Sequence, residues 1–335
     1  MGKIGALPLK SEPAVPHPSP TDCPKAPDRV RPGLFQAWQM ALRPRSLWVA
    51  LAPVLVGAAL GWRRSGTLDG WAAAAALLAA LLMQIITNLQ NDVGYTRRGA
   101  HQSPEATGLP RATALGWIAV RHMQWAVAAL ALLATAFGLW LVLLKGWPVL
   151  AMGTASLLAA LAYMGGPRPI AYTPFGELTV LVFFGLVAVL GSEWLLTGGF
   201  DALSVLAALC MGGLAASALA VNNLRDVAHD ARVGRRTLAV CLGAAHARRV
   251  HALLLAGPFA LLLPMAWLAG SSLCLLPLLL WPRARHLLMG LRRCAGTEDY
   301  TSLLIASFRF EMQFAALLAA GLVLSSLVRG WVPHA

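Results

Sequence analysis

Two stretches of this sequence carry the same polar pattern at the end of a long apolar run. The first reads Asn88-Leu89-Gln90-Asn91-Asp92-Val93, the second Asn222-Asn223-Leu224-Arg225-Asp226-Val227. Asn and Asp four positions apart share one helix face, and Asp230 extends the second set by another turn. Carboxylates at the edge of an apolar span are costly, so they mark a functional site by default. Arginines follow each set: Arg97, Arg98 and Arg111 after the first; Arg225, Arg232, Arg235 and Arg236 within and after the second.

Acids beside arginines have two readings. In one they are helix-end ion pairs and charges that set membrane orientation. In the other they form a site for a magnesium-bridged diphosphate, in which carboxylates hold a hard cation and guanidinium groups fork onto phosphate oxygens. The repetition favours the second reading.

The elements that must position these residues are membrane helices. Of 335 residues 58% are hydrophobic and only 12% charged, and the mean hydropathy is +0.65; a soluble domain carries about a quarter charged residues. Candidate spans run from Ser46 to Trp62, Leu68 to Asn91, Met123 to Leu144, Pro148 to Met164, Gly176 to Thr197, Ala202 to Leu224, Val250 to Gly270, Ser271 to Leu288 and Leu303 to Val328. Pro277 and Pro282 weaken the eighth. With a cytoplasmic N-terminus, 22 of the 27 Lys and Arg fall on one side once Arg283 and Arg285, late in the eighth span, are counted with it, a positive-inside pattern that accounts for the net charge of +13 without nucleic acid. The expected fold is thus all-α and integral to the membrane, with about nine transmembrane helices and both polar patterns on the cytoplasmic side. Residues 1–40, polar and Pro-rich, are expected as a disordered cytosolic tail, and 41–335 as one polytopic domain. The five cysteines lack metal-ligand spacing and are read as packing residues.

The run from Asn222 through Asp226, Asp230 and Gly234 to Thr237 resembles the second aspartate-rich motif of the UbiA-type membrane prenyltransferases. Within that family it is most similar to the 1,4-dihydroxy-2-naphthoate polyprenyltransferase branch. Further matches are Arg43-Pro44-Arg45-Ser46, Gly165-Gly166-Pro167 with Ala171-Tyr172, and Phe183 to Gly191; together the resemblance covers about residues 40 to 325. It implies a helical bundle around a lipid-open cavity, Mg2+ between two aspartate-rich motifs, and transfer of a polyprenyl group from polyprenyl diphosphate to an aromatic quinone precursor. The implied product is demethylmenaquinone and the implied location a bacterial cytoplasmic (inner) membrane.

Carried onto these positions, the resemblance makes Asp92, Asp226 and Asp230 the catalytic metal ligands. Asn88, Asn91, Arg97, Arg98, Asn222, Arg225, Arg232, Arg235 and Arg236 become candidates for holding the diphosphate, and Arg168 and Tyr172 for meeting the acceptor. Tyr95 stands where the family has a second aspartate in its first motif, and His101 where the branch has another acid. A neutral phenol is a poor ligand for a hard cation, so Arg97 or Arg98 is expected to take over part of the charge. Tyr163 reads as an interfacial anchor, Glu193 as an interfacial acid and His229 as solvated. A different acceptor, a diphosphate-binding homologue without turnover, and a transporter are the competing readings.

Overall fold

A computed structural model describes residues 32–102 and 110–331, and among these all regular structure is helical. In chain order the helices are α1 (Leu34–Leu42), α2 (Leu47–Ser65), α3 (Gly70–Arg97), α4 (Val120–Lys145) and α5 (Trp147–Met164). Then come α6 (Gly176–Val180), a π-helical stretch Leu181–Leu190, and α7 (Gly191–Thr197). The chain finishes with α8 (Ala202–Arg225), α9 (Val227–Arg232), α10 (Leu238–Ala269), α11 (Trp281–Arg293) and α12 (Thr297–Trp331). Helix α1 begins inside the stretch expected as tail; residues 1–31, with Cys23, lie outside the described ones.

Side-chain caps start α3, α8 and α10 where the sequence changes from polar to apolar. Asp69 accepts the N–H groups of Trp71 and Ala72 at the head of α3, and Asp201 forms a reciprocal box with Ser204 at the head of α8. Gly66, in the left-handed region at φ 73°, ends α2, a conformation that a residue without Cβ adopts at no steric cost.

Eight helical segments among the described residues are long and apolar enough to cross a membrane. The expected eighth span, Ser271 to Leu288, is not one of them: it forms a 3₁₀ stretch over Ser272–Leu280 and then α11. It nevertheless runs antiparallel to α12. Leu273 lies against Gly321, Arg283 donates to Gln313 at 2.8 Å, and Gly290 lies beside Leu303. From Leu303 to Gly321 an α-helix rises roughly 27 Å, about the thickness of the hydrocarbon core. The described residues thus give eight such helices against the nine expected, the proline-bearing half of this segment being wound tightly because Pro277 cannot donate to an α-helical ladder.

Helix α8 is the centre of the bundle and its small residues explain why. A Cβ on Gly185 would lie 2.5 Å from the carbonyl of Ala208 and 2.7 Å from Cα of Gly212, so the π-helical stretch and α8 meet backbone to backbone. In lipid, where no hydrophobic drive separates helix from tail, such close approach is what holds helices together. On the other side α3 is pressed against α5: a Cβ on Gly94 would sit 2.5 Å from the Met164 carbonyl. These two contacts bring the ends of α3 and α8 to the same end of the bundle, while α5 and the π-helical stretch barely touch each other.

Candidate active site

Between these helices lies a cavity of about 840 Å³. Its apolar wall runs along α3 from Ala76, with Leu141, Leu157, Phe183 and Phe184 facing in. Its polar end holds Arg43, Asn91, Tyr95 and Arg111 on one side and Asn222, Arg225, Asp226, His229 and Arg235 on the other. From Ala76 to Asn91 the α3 wall is roughly 22 Å long at 1.5 Å per residue, which gives the cavity a charged mouth and a long greasy barrel.

Arg43 reaches the cavity because the chain bends there. It occupies the left-handed region at φ 52°, between α1 and the turn Pro44–Ser46, a conformation costing a non-glycine residue roughly 1–2 kcal/mol. Three side chains hold the bend. Ser46 Oγ donates to the Arg43 carbonyl at 2.9 Å, and Asn88 Nδ2 donates to the Leu42 carbonyl at 2.9 Å and to Ser46 Oγ at 3.0 Å. Gln84 Nε2 donates to Asn88 Oδ1 at 3.2 Å. Asn88, expected to bind diphosphate, spends its amide on positioning Arg43.

Asp92 also differs from expectation. Its carboxylate turns away from the cavity and accepts the backbone N–H groups of Ala112 at 3.1 Å and Thr113 at 3.0 Å, together with the Thr113 hydroxyl. It is 1% exposed, and its oxygens are taken. Helix geometry gives the reason: Asn91 and Tyr95, four apart, point into the cavity, and Asp92 is rotated about 100° from Asn91. What Asp92 does is fasten the loop that carries Arg111. The Arg111 guanidinium lies over the Tyr95 ring, 4.0 Å from its centroid, and donates to the Asn91 carbonyl at 3.2 Å. Burial, with Arg43 adding, pulls its pKa down to about 9, which leaves it charged at neutral pH.

On the facing wall Arg225 forks onto Asp226 with bonds of 2.7 and 2.8 Å and reaches Asn222 Oδ1 at 2.8 Å. Arg235 Nη1 donates to Asp230 at 2.7 Å and its Nε to the Ala171 carbonyl at 3.0 Å. Burial raises the Asp230 carboxyl to about 6 against the opposing pull of Arg235. His229, expected in solvent, is 2% exposed, and its Nε2 lies 3.3 Å from the Tyr95 hydroxyl. The misplacement has a cause: α8 stops and α9 starts at Asp226, whose φ −98° and ψ 9° break the helical phase that a single wheel assumes.

Several expected residues lie elsewhere. Arg97, Arg168, Arg232 and Arg236 are exposed and line no part of the cavity. Arg98 caps the Gly166 carbonyl and lies over the Tyr172 ring, whose other neighbour is Arg235, so Tyr172 is a spacer between cations outside the cavity. Tyr163 lines the cavity and is no surface anchor. Glu193 is 1% exposed and paired with Arg64 at 3.1 Å near the opposite end of the bundle. Two residues that the sequence reading gave no role, Arg43 and His229, belong to the site. The Arg-Pro-Arg-Ser run signalled the first; nothing in the helical spacing signalled the second.

The donor set suits a hard divalent cation held together with a substrate. Asn91 Oδ1 and Asp230 Oδ2 are buried oxygens without a hydrogen-bond partner among the described residues, and an unsatisfied buried oxygen calls for an explanation such as an ion. Among the described residues, no cluster of three or more His, Cys, Asp or Glu is arranged to hold a metal. Phosphate and water oxygens would have to complete the shell, as Mg2+ prefers.

The family model of the UbiA prenyltransferase family matches residues 50–305. Relatives named 1,4-dihydroxy-2-naphthoate octaprenyltransferase include one from Escherichia coli, 39% identical over 66% of this chain and 73% of its own length. Another, from Mycobacterium leprae, is 32% identical over 88% of this chain and 98% of its own. Among solved structures, a UbiA homologue from Archaeoglobus fulgidus bound to GPP and Mg2+ superposes with a TM-score of 0.61, covering 84% of this chain and 99% of that one at 16% identity, a likeness of fold. The tightly packed bundle, the cavity with Asn222 and Asp226 at its polar end, and the extent of these matches have one conclusion: the chain is an integral membrane protein of the UbiA prenyltransferase family.

Proposed function

We propose that this protein transfers a polyprenyl group from polyprenyl diphosphate to 1,4-dihydroxy-2-naphthoate, giving the carbon skeleton of demethylmenaquinone, in a bacterial cytoplasmic membrane with the charged mouth of the cavity towards the cytosol. The observation that carries it is the split character of the cavity. Five guanidinium groups, Arg43, Arg45, Arg111, Arg225 and Arg235, line its mouth, while the barrel behind them is apolar. An anionic head on a long hydrocarbon tail is the ligand such a shape selects. The names of the relatives supply the acceptor, and the named branch makes octaprenyl transfer the first chain length to test.

In this reading the polyprenyl tail lies along α3 and the π-helical stretch, and the diphosphate sits among the arginines. Mg2+, held by Asp226 and Asp230 with phosphate oxygens, would neutralise charge that builds on the leaving diphosphate. The allylic C–O bond breaks and diphosphate departs with the electron pair. Arg111 and Arg43 meet the negative charge as it develops, a preorganised environment that needs no rearrangement at the moment of reaction. The apolar walls formed by Phe183 and Phe184 keep water from the cationic allyl centre. A ring carbon of the acceptor attacks that centre, and loss of its carboxylate as CO2 returns the electron pair to the ring.

The experiment is incubation of purified protein in lipid nanodiscs with octaprenyl diphosphate and either dihydroxynaphthoate or 4-hydroxybenzoate, with product identified by mass spectrometry. Product from dihydroxynaphthoate alone supports the proposal. Product only from the benzoate would move the protein to another acceptor class.

A further inference from the structure

The two walls of the cavity mouth are chemically unequal, and this bears on how many cations the site takes. On the α8–α9 wall Asp226 lines the cavity, and Asp230, fully buried beside it, holds Arg235 with Oδ1 and keeps Oδ2 without a hydrogen-bond partner among the described residues. Among the described residues no carboxylate of the α3 wall lines the cavity. Asp92 is turned away from it, and both its oxygens accept from Ala112 and Thr113. The position on the cavity face is Tyr95, whose hydroxyl is engaged with His229 Nε2 at 3.3 Å. A protonated phenol in a hydrogen bond is a poor ligand for a hard cation, and an imidazole prefers softer metals.

What this wall presents instead is positive charge. Arg111 rides on the Tyr95 ring at 4.0 Å, and Arg43 projects from its strained bend. Stacking on an aromatic face fixes a guanidinium without consuming its outward N–H donors, which then remain for a phosphate. A second divalent cation would meet repulsion from Arg43 and Arg111 on a wall where, among the described residues, it is offered only the amide oxygen of Asn91.

We propose that this chain grips its prenyl diphosphate with a single divalent cation, on the Asn222–Asp226–Asp230 wall, and that Arg111, laid on Tyr95 and anchored through Asp92, occupies the place of a second cation. Asp92 thereby becomes a positioning residue for a guanidinium. The inference rests on the diphosphate-binding reading above and concerns only how the head group is held.

The test counts metal and does not depend on turnover. Full-length protein in nanodiscs is saturated with the non-reactive analogue geranyl S-thiolodiphosphate and titrated with Mn2+, and bound ion is counted by electron paramagnetic resonance. One Mn2+ per bound analogue is expected; two, or none, would overturn the proposal. In a second arm, Arg111→Gln is expected to weaken the analogue roughly ten- to a hundredfold, the scale of one charge-assisted contact, with the count still one. Arg111→Lys is expected to recover part of the loss. An unchanged affinity in Arg111→Gln would also overturn it. Failure of the analogue to bind wild-type protein at all would instead remove the diphosphate-binding reading, and this inference with it.

Discussion

The hydroxyl of Tyr95 and Nε2 of His229 lie 3.3 Å apart, joining the end of α3 to α9 across the cavity mouth. The same phenol ring carries Arg111 on its face. One aromatic side chain therefore couples the two motif helices and places a cation, two tasks that separate on substitution. Tyr95→Phe keeps the platform and loses the hydrogen bond, so a fall in kcat/KM of less than about tenfold is expected, the scale of one neutral hydrogen bond. Tyr95→Ala removes both and is expected to raise KM for the diphosphate substrate further. Steady-state kinetics of the two variants separates the roles.

Asp92 accepts two backbone N–H groups and a hydroxyl while fully buried. Its replacement by Ala leaves those donors unpaired and should lower stability by about 2–4 kcal/mol, since each stranded buried group costs about 1–3 kcal/mol. Asp92→Asn retains one acceptor oxygen and is expected to fall between. Thermal unfolding in detergent checks the order, and the Mn2+ count should be the same in wild type and Asp92→Asn. A lower count in the variant would make Asp92 a ligand.

Burial raises the Asp230 carboxyl to about 6. A cation must displace its proton, so metal affinity is expected to be level above about pH 7 and to fall below about pH 6, by up to tenfold per pH unit. In Asp230→Asn this slope should vanish together with most of the affinity. Mn2+ titrations from pH 5 to 8 measure both.

Gly185 admits no side chain: a Cβ there would meet the Ala208 carbonyl at 2.5 Å. Gly185→Ala is expected to cost about 1–3 kcal/mol through overpacking, visible as a lower unfolding temperature. Conversely Arg97→Ala and Arg168→Ala, exposed and away from the cavity, should leave KM and kcat within about twofold.

The bundle was legible in the sequence because lipid imposes a simple rule, that backbone groups must be satisfied within the span, so apolar runs declare themselves. The apolar run from Ser271 read as a span, but its prolines leave a 3₁₀ stretch and the short α11 in place of one long apolar α-helix. Asn222 and Asp226 line the cavity four residues apart, whereas Asp230, beyond the break at Asp226, is buried against Arg235 outside the lining. The α3 wall was not readable from spacing. A polar motif at a helix end names the residues but not which of two neighbours, Asp92 or Tyr95, looks inward; that depends on the rotation of α3 set by the Gly94–Met164 contact. Likewise the long loop arginines are alike in sequence, and only the anchoring of one loop by Asp92 distinguishes Arg111, in the cavity, from Arg97, outside it.

The central claim is that the wall bearing Asp226 drives departure of the diphosphate. Its most direct test is the single-turnover rate of prenyl transfer to dihydroxynaphthoate in wild type and in Asp226→Ala, compared at equal folded protein and saturating Mg2+. The expected result is a loss of at least about a hundredfold, the equivalent of roughly 3 kcal/mol of transition-state stabilisation, with the analogue still bound. A variant that transfers at the wild-type rate would contradict the account.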